Sequence, residues 1–176
     1  MPIEVIDYDA AWPGRAESAR AELLAALPGV FLSIEHFGST SVPGLAAKPV
    51  IDLMAAADDV DLVAQRDDVL RELGYHRFET GIPGRLFYIR DRDGRRTHHL
   101  HVVPAHDFAT RNELLLRDYL RVHPEAAARY AALKRQLATV ALDGDEYTRA
   151  KTDLVQELTD AARAERGLPS VPVWEE

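Results

Sequence analysis

The chain is 176 residues long, with 21 Lys and Arg against 29 Asp and Glu and a formal charge of −8. Acidity on this scale excludes a protein that coats nucleic acid through a broad basic face, and the length predicts one domain. Cysteine is absent, which rules out disulfides, thiolate metal sites and cysteine nucleophiles. The N-terminus lacks the basic start and apolar run of a signal peptide. No apolar segment reaches bilayer length, so the expected setting is the cytoplasm, with no membrane partner.

In chain order, Ile3 to Tyr8 alternate apolar and acidic residues and predict a short or edge strand. Pro13 suits a first helical turn. The helix formers from Ala16 to Leu27 follow it, and Pro28-Gly29 stops them. Val30 to Phe37 is a β-type run ending at Gly38-Ser39-Thr40-Ser41. Pro49 to Ala55 is an almost unbroken apolar run, expected as a central strand covered on both faces. Asp58 and Asp59 are placed to cap a helix that ends at Gly74. Strands are predicted over Tyr75 to Glu79, Arg85 to Asp91 and Arg96 to Val103, and Asp93-Gly94 marks the hairpin between the last two. Beyond Asp107 the pattern is helical: Asn112 to Val122, Pro124 to about Leu142, and a third helix to Arg166. The expected fold is α+β, a small mixed β-sheet flanked by helices. It forms a core over residues 1–106, with a C-terminal antiparallel helical segment over 107–176 packed on it as one unit.

Four features carry chemistry. Gly38-Ser39 follows a strand directly, where glycine admits close approach of an anion and amides with the Ser39 and Thr40 hydroxyls can donate to phosphate. A plain turn is the alternative. Asp52 is a lone carboxylate inside Val50-Ile51-Asp52-Leu53-Met54 and requires a cation, donors or solvent. In Thr97-His98-His99-Leu100-His101-Val102, strand period puts His99 and His101 on one face and His98, Leu100 and Val102 on the other. Two imidazoles on one face suit a metal, proton transfer or cross-sheet hydrogen bonding. Finally, Arg117, Lys134 and Lys151 form a cationic set in the helices. Tyr130 and Tyr147 each lie four residues before a Lys, and surface ion pairing is the alternative for each cation.

The order of strand, Gly-Ser, strand with Asp and a later strand with metal-type residues resembles the polymerase-β-like nucleotidyltransferase plan. The segment Glu35-His36-Phe37-Gly38-Ser39-Thr40-Ser41-Val42-Pro43-Gly44-Leu45-Ala46-Ala47-Lys48-Pro49-Val50-Ile51-Asp52-Leu53 closely resembles the signature of the GrpB-like family within that superfamily. Similarity extends to Tyr8 through Trp12-Pro13, His99-Leu100-His101-Val102, Arg117-Asp118-Tyr119-Leu120-Arg121 and Tyr130 through Lys134. It therefore covers nearly the whole chain.

The resemblance implies a metal-dependent nucleotidyltransferase with a nucleotide as donor but fixes no substrate; the acidic charge, which disfavours long nucleic acid as partner, points to a small-molecule acceptor. Gly38, Ser39 and Thr40 would hold phosphates. Lys48 or Arg85 would neutralise charge there, and Arg117, Lys134 and Lys151 are further phosphate-binding candidates. Asp52 and His101 are the catalytic candidates, and Asp52, His99 and His101 the ligands of a divalent ion, Mg²⁺, Mn²⁺ or Zn²⁺. Some relatives are fused to dephospho-coenzyme A kinase, which implies a nucleotide or coenzyme setting. One departure stands out: active members of the superfamily carry two carboxylates one residue apart on the second strand, and this chain has Asp52 and Met54. A thioether is a poor ligand for Mg²⁺. The alternative function is therefore a non-catalytic module that binds a nucleotide, a phosphorylated metabolite or a partner on a degenerate transferase fold.

Overall fold

Alternation and turn chemistry lay down most of the strands where the sequence predicts them. In the computed structural model, which describes residues 4–140 and 144–173, the chain divides into two units. The sheet unit comprises Ala11–Phe37 and Val50–Ala109; the helical unit comprises Met1–Ala10, Gly38–Pro49 and Thr110–Glu176.

The sheet unit opens with α1 (Trp12–Ala26), which has Pro13 in its first turn. Its buried residues Trp12, Ala16, Ala19 and Leu23 recur at helical spacing and make one stripe, which packs against β1 (Ser33–Phe37) and β2 (Ile51–Ala57). The strands β3 (Tyr75–Phe78), β4 (Leu86–Arg92) and β5 (Arg95–Pro104) complete a five-stranded sheet of order β1-β2-β5-β4-β3. Only β2 and β5 run parallel, so the sheet is mixed as expected. At the hairpin, Asp93 and Gly94 both have positive φ, 53° and 73°, the signature of a type I′ turn.

One face of the sheet carries Ile34, Leu53, Ala55, Leu100, Val102 and Tyr88, all buried. The Tyr88 hydroxyl on this face donates to Asp67 at 2.7 Å, which ties the sheet to the start of α3 (Asp67–Glu72). The single helix expected up to Gly74 is in fact two short ones, α2 (Val60–Ala64) and α3. Asp59 caps α2 through the amides of Asp61 and Leu62. Asp67 opens α3 with its carboxylate held by Tyr88 and Arg77, and the backbone breaks at Arg66. The strand expected over Ile3 to Tyr8 reduces to one bridge between Ile6 and Ala47, and Ile3 lies outside the described residues. Likewise β2 starts at Ile51 rather than Pro49, because proline has no amide to give a ladder.

The helical unit contains α4 (Asn112–Val122), α5 (Pro124–Ala138), α6 (Gly144–Ala150) and α7 (Thr152–Glu165). Val42, Leu45, Leu120, Ala126, Tyr130, Val155 and Leu158 make its core. The expected end of the second helix, Leu142, lies outside the described residues. The expected third helix is divided between α6 and α7. The Thr152 hydroxyl donates back to the Thr148 carbonyl at 3.1 Å across the break, a bond that competes with the helical ladder. Among the described residues no helix is long and apolar enough to cross a membrane.

Candidate functional site

Period-two alternation aims a distinct set of side chains at the second face of the sheet. Across the parallel pair, Asp52 lies opposite His99 and Met54 opposite His101. Phe37 flanks Asp52 on β1, while Phe87 and Ile89 flank His101 and His99 on β4. The face assignment made from the sequence for His99 and His101 is the one observed.

Asp52 and His99 touch, with Nδ1 of the imidazole 3.1 Å from Oδ1 of the carboxylate. An ionised carboxylate only accepts, so the proton of this bond sits on Nδ1, and in the neutral ring Nε2 is then the accepting nitrogen. That Nε2 atom is buried and has no hydrogen-bond partner. The side chains of His99 and Asp52 are still 19% and 25% exposed, so the pair sits at the edge of solvent access rather than deep in the core.

His101 is held differently. Its Nδ1 accepts from Arg85, at 3.2 Å from Nε and 2.9 Å from Nη2. Burial, assisted by the guanidinium charge, pushes its pKa down to about 3, so the ring is neutral at ordinary pH. Aromatic rings enclose it: Phe87 at 4.7 Å and Phe37 at 5.4 Å between centroids. Phe87 was not among the residues singled out in the sequence and Phe37 only as part of the signature segment, although both lie in predicted strands.

Within the helical unit, Gly38 has φ 73° and ψ −175°, a conformation close to glycine-only, and leads into the turn Ser39–Ser41. Ser41 donates to the Gly38 carbonyl through both amide and hydroxyl, and Arg121 donates to the Ser41 carbonyl at 3.0 Å. The loop is thus built and braced. Thr40 is buried, whereas Lys48 is exposed. A Gly38→Ala substitution is expected to cost about 1–3 kcal/mol of stability through backbone strain, to be read by urea unfolding.

The helical cations are largely engaged within the fold. Arg117 pairs with Asp118 at 2.8 Å, and Arg166 holds the other oxygen of that carboxylate. Lys134 is buried, donates to the Ala46 carbonyl at 2.9 Å and lies 4.8 Å from the Tyr130 ring centroid. Lys151 stands 5.0 Å from the Tyr147 centroid. The Tyr–Lys spacing therefore brings each pair together as expected.

The donor set of the sheet face does not fit the paired-carboxylate metal centre that the fold implies. Met54, two residues after Asp52, is fully buried and offers a thioether rather than a second carboxylate; Nδ1 of His99 is spent on Asp52, and Nδ1 of His101 on Arg85. Among the described residues no three His, Asp or Glu side chains group as metal ligands.

Comparison with known proteins agrees with this architecture. The sequence matches the GrpB protein family over residues 2–161. It is 34% identical over 163 residues to the UPF0157 protein YqkA of Bacillus subtilis, a match covering 92% of this chain but 47% of that protein, so the chain spans about half of that relative. The crystal structure of the conserved protein GrpB from Enterococcus faecalis superposes with a TM-score of 0.86 at 32% identity, covering 93% of this chain and 99% of that one. The Cid1 poly(U) polymerase superposes with a TM-score of 0.52 at 20% identity, covering 76% of this chain and 44% of that one, a likeness of fold alone. The family match over residues 2–161, with the close superposition on GrpB, thus places the chain in the GrpB family, and its five-stranded mixed sheet gives it a fold similar to that of nucleotidyltransferases.

Proposed function

We propose that this chain transfers a nucleotidyl group to the hydroxyl of a small acceptor, with the Asp52–His99 pair as proton acceptor. One observation carries the proposal: Asp52 fixes the His99 tautomer so that the buried, unpartnered Nε2 presents a lone pair. In the proposed step Nε2 takes the proton of the acceptor hydroxyl, whose oxygen bonds to the α-phosphorus of a nucleoside triphosphate. The bond from that phosphorus to the bridging oxygen breaks, and pyrophosphate leaves with the electron pair. Arg85, steadied by neutral His101, supplies positive charge on the same sheet face. Apart from this step, and within the helical unit alone, Gly38 and Ser39 are proposed as a phosphate-holding turn. No step is assigned to a metal ion.

A second proposal, a binding module without transfer, draws support from Met54, a buried thioether where the active pattern of the superfamily would have a second carboxylate to serve as a hard oxygen ligand. Pyrophosphate release against a panel of small hydroxyl acceptors, with Mg²⁺, Mn²⁺ or Zn²⁺ supplied, separates the two. Transfer predicts release that falls about a hundredfold in Asp52→Asn and in His99→Gln, each retaining its fold by circular dichroism. Nucleotide binding with no release, or release indifferent to both substitutions, defeats the transferase proposal.

A further inference from the structure

Cross-strand register places one row of residues over all five strands: Phe78 on β3, Phe87 on β4, His101 on β5, Met54 on β2 and Glu35 on β1. Paired positions share a face, so the row lies on the face that carries Asp52 and His99. Three consecutive members of it are rings in mutual contact. Phe78 and Phe87 stand 6.3 Å apart at 80°, and Phe87 and His101 stand 4.7 Å apart at 30°. Phe87 also reaches the His99 ring, 5.2 Å away. A continuous aromatic stripe therefore runs from the β3 edge to the Asp52–His99 pair.

The outer end of the stripe is open. Phe78 is 56% exposed and is the one aromatic residue among the large exposed hydrophobics of the described residues. In an edge-to-face pair one ring contributes an edge and the other a single face, so Phe87 leaves at least one face of Phe78 uncovered whichever role each plays. Leaving a phenyl ring so exposed forgoes the burial that the rest of the sheet achieves. Arg85 brings a guanidinium to the same face through His101, so an aromatic surface and a positive charge lie together there. The ligand chemistry matching both is a flat ring carried on an anion.

We propose that Phe78, backed by Phe87, is the stacking platform for the nucleobase of a mononucleotide bound on this sheet face. The proposal rests on the nucleotide-handling function above and adds the group that recognises the base. Stacking tolerates any base because each offers a π-face, so it predicts affinity with little base preference.

The test is isothermal titration of the full chain with ATP and UTP, and with inorganic tripolyphosphate as a ring-free probe. Phe78→Ala should weaken both nucleotides about tenfold and leave tripolyphosphate unchanged. Phe78→Trp, which keeps a ring, should retain nucleotide binding. Wild-type affinity for nucleotides in Phe78→Ala, or an equal loss for nucleotides and tripolyphosphate, overturns the platform while leaving the functional proposal intact. Failure of the wild-type chain to bind any nucleotide overturns both.

Discussion

Replacing Lys134 with Ala is expected to lower the unfolding free energy by about 3–5 kcal/mol, the sum of a lost buried stem and a lost charge-assisted hydrogen bond. The side chain is only 2% exposed, and its ammonium donates to the Ala46 carbonyl at 2.9 Å beside the Tyr130 ring. Ala46 adjoins Ala47, which bridges Ile6, so this one donor on α5 braces a segment that otherwise has little regular structure. A Lys134→Met variant keeps most of the apolar stem and loses the donor and the ring contact, for an expected loss of about 1–3 kcal/mol. Urea unfolding of the three proteins measures both. The pair of variants also separates the two roles open to this residue. A brace loses stability in ligand-free protein, whereas a phosphate-binding lysine loses affinity at unchanged stability. A loss below about 1 kcal/mol in Lys134→Ala would return Lys134 to the phosphate-binding set.

Lys134 also marks a limit of what the sequence conveys. The spacing from Tyr130 shows that the two share a helix face, and they do meet. Spacing does not say whether that face meets water or core. That depends on residues far along the chain, such as Val42 and Leu45, packing against α5 and α7. Asp52 and His99 were more legible. Each lies in a strand with strong pattern signals, and alternation alone separates His99 from His98 and Leu100.

The aromatic flank was hidden for a specific reason. Counting back from the Asp93-Gly94 turn pairs Arg92 with Arg95 and Asp91 with Arg96, as observed. Continued without interruption, that count sets Phe87 opposite Leu100, on the face away from Asp52. The ladder instead shifts by one between Arg90 and Asp91, so Arg90 pairs with His98 and Phe87 with His101. Thr97 is the extra residue, and its hydroxyl donates to the Arg90 carbonyl at 3.1 Å. A bulge reverses the face of every residue beyond it, and no composition rule announces it at Thr97. The same shift brings Phe78 and Phe87 onto the face that carries the Asp52–His99 pair.

Stability should fall steeply in mild acid, and two histidines set the window. Burial holds the pKa of His98 down to about 4, with the Arg90 charge adding to the effect, and burial with Arg85 holds that of His101 down to about 3. In the unfolded chain both titrate near the ordinary value of about 6.5. Between these limits the unfolded state binds more protons than the folded state, so stability rises with pH. The contribution is therefore fully present above about pH 6.5 and is lost progressively as pH falls towards the folded-state values. Each such histidine adds a slope of up to about 1.4 kcal/mol per pH unit, and the two together cost about 4–5 kcal/mol between pH 6.5 and 4.5. Urea midpoints taken at half-unit steps measure the slope. His101→Gln loses one titrating group and should remove about half of it, whatever it does to stability at neutral pH. His98→Gln should remove the other half while leaving the Asp52–His99 face unchanged, because His98 points to the opposite side of β5. A slope identical in wild type and His101→Gln would mean that His101 takes up its proton in the folded protein. The Arg85 bond to Nδ1 would then be broken in mild acid, and the guanidinium would lose its anchor on the sheet face.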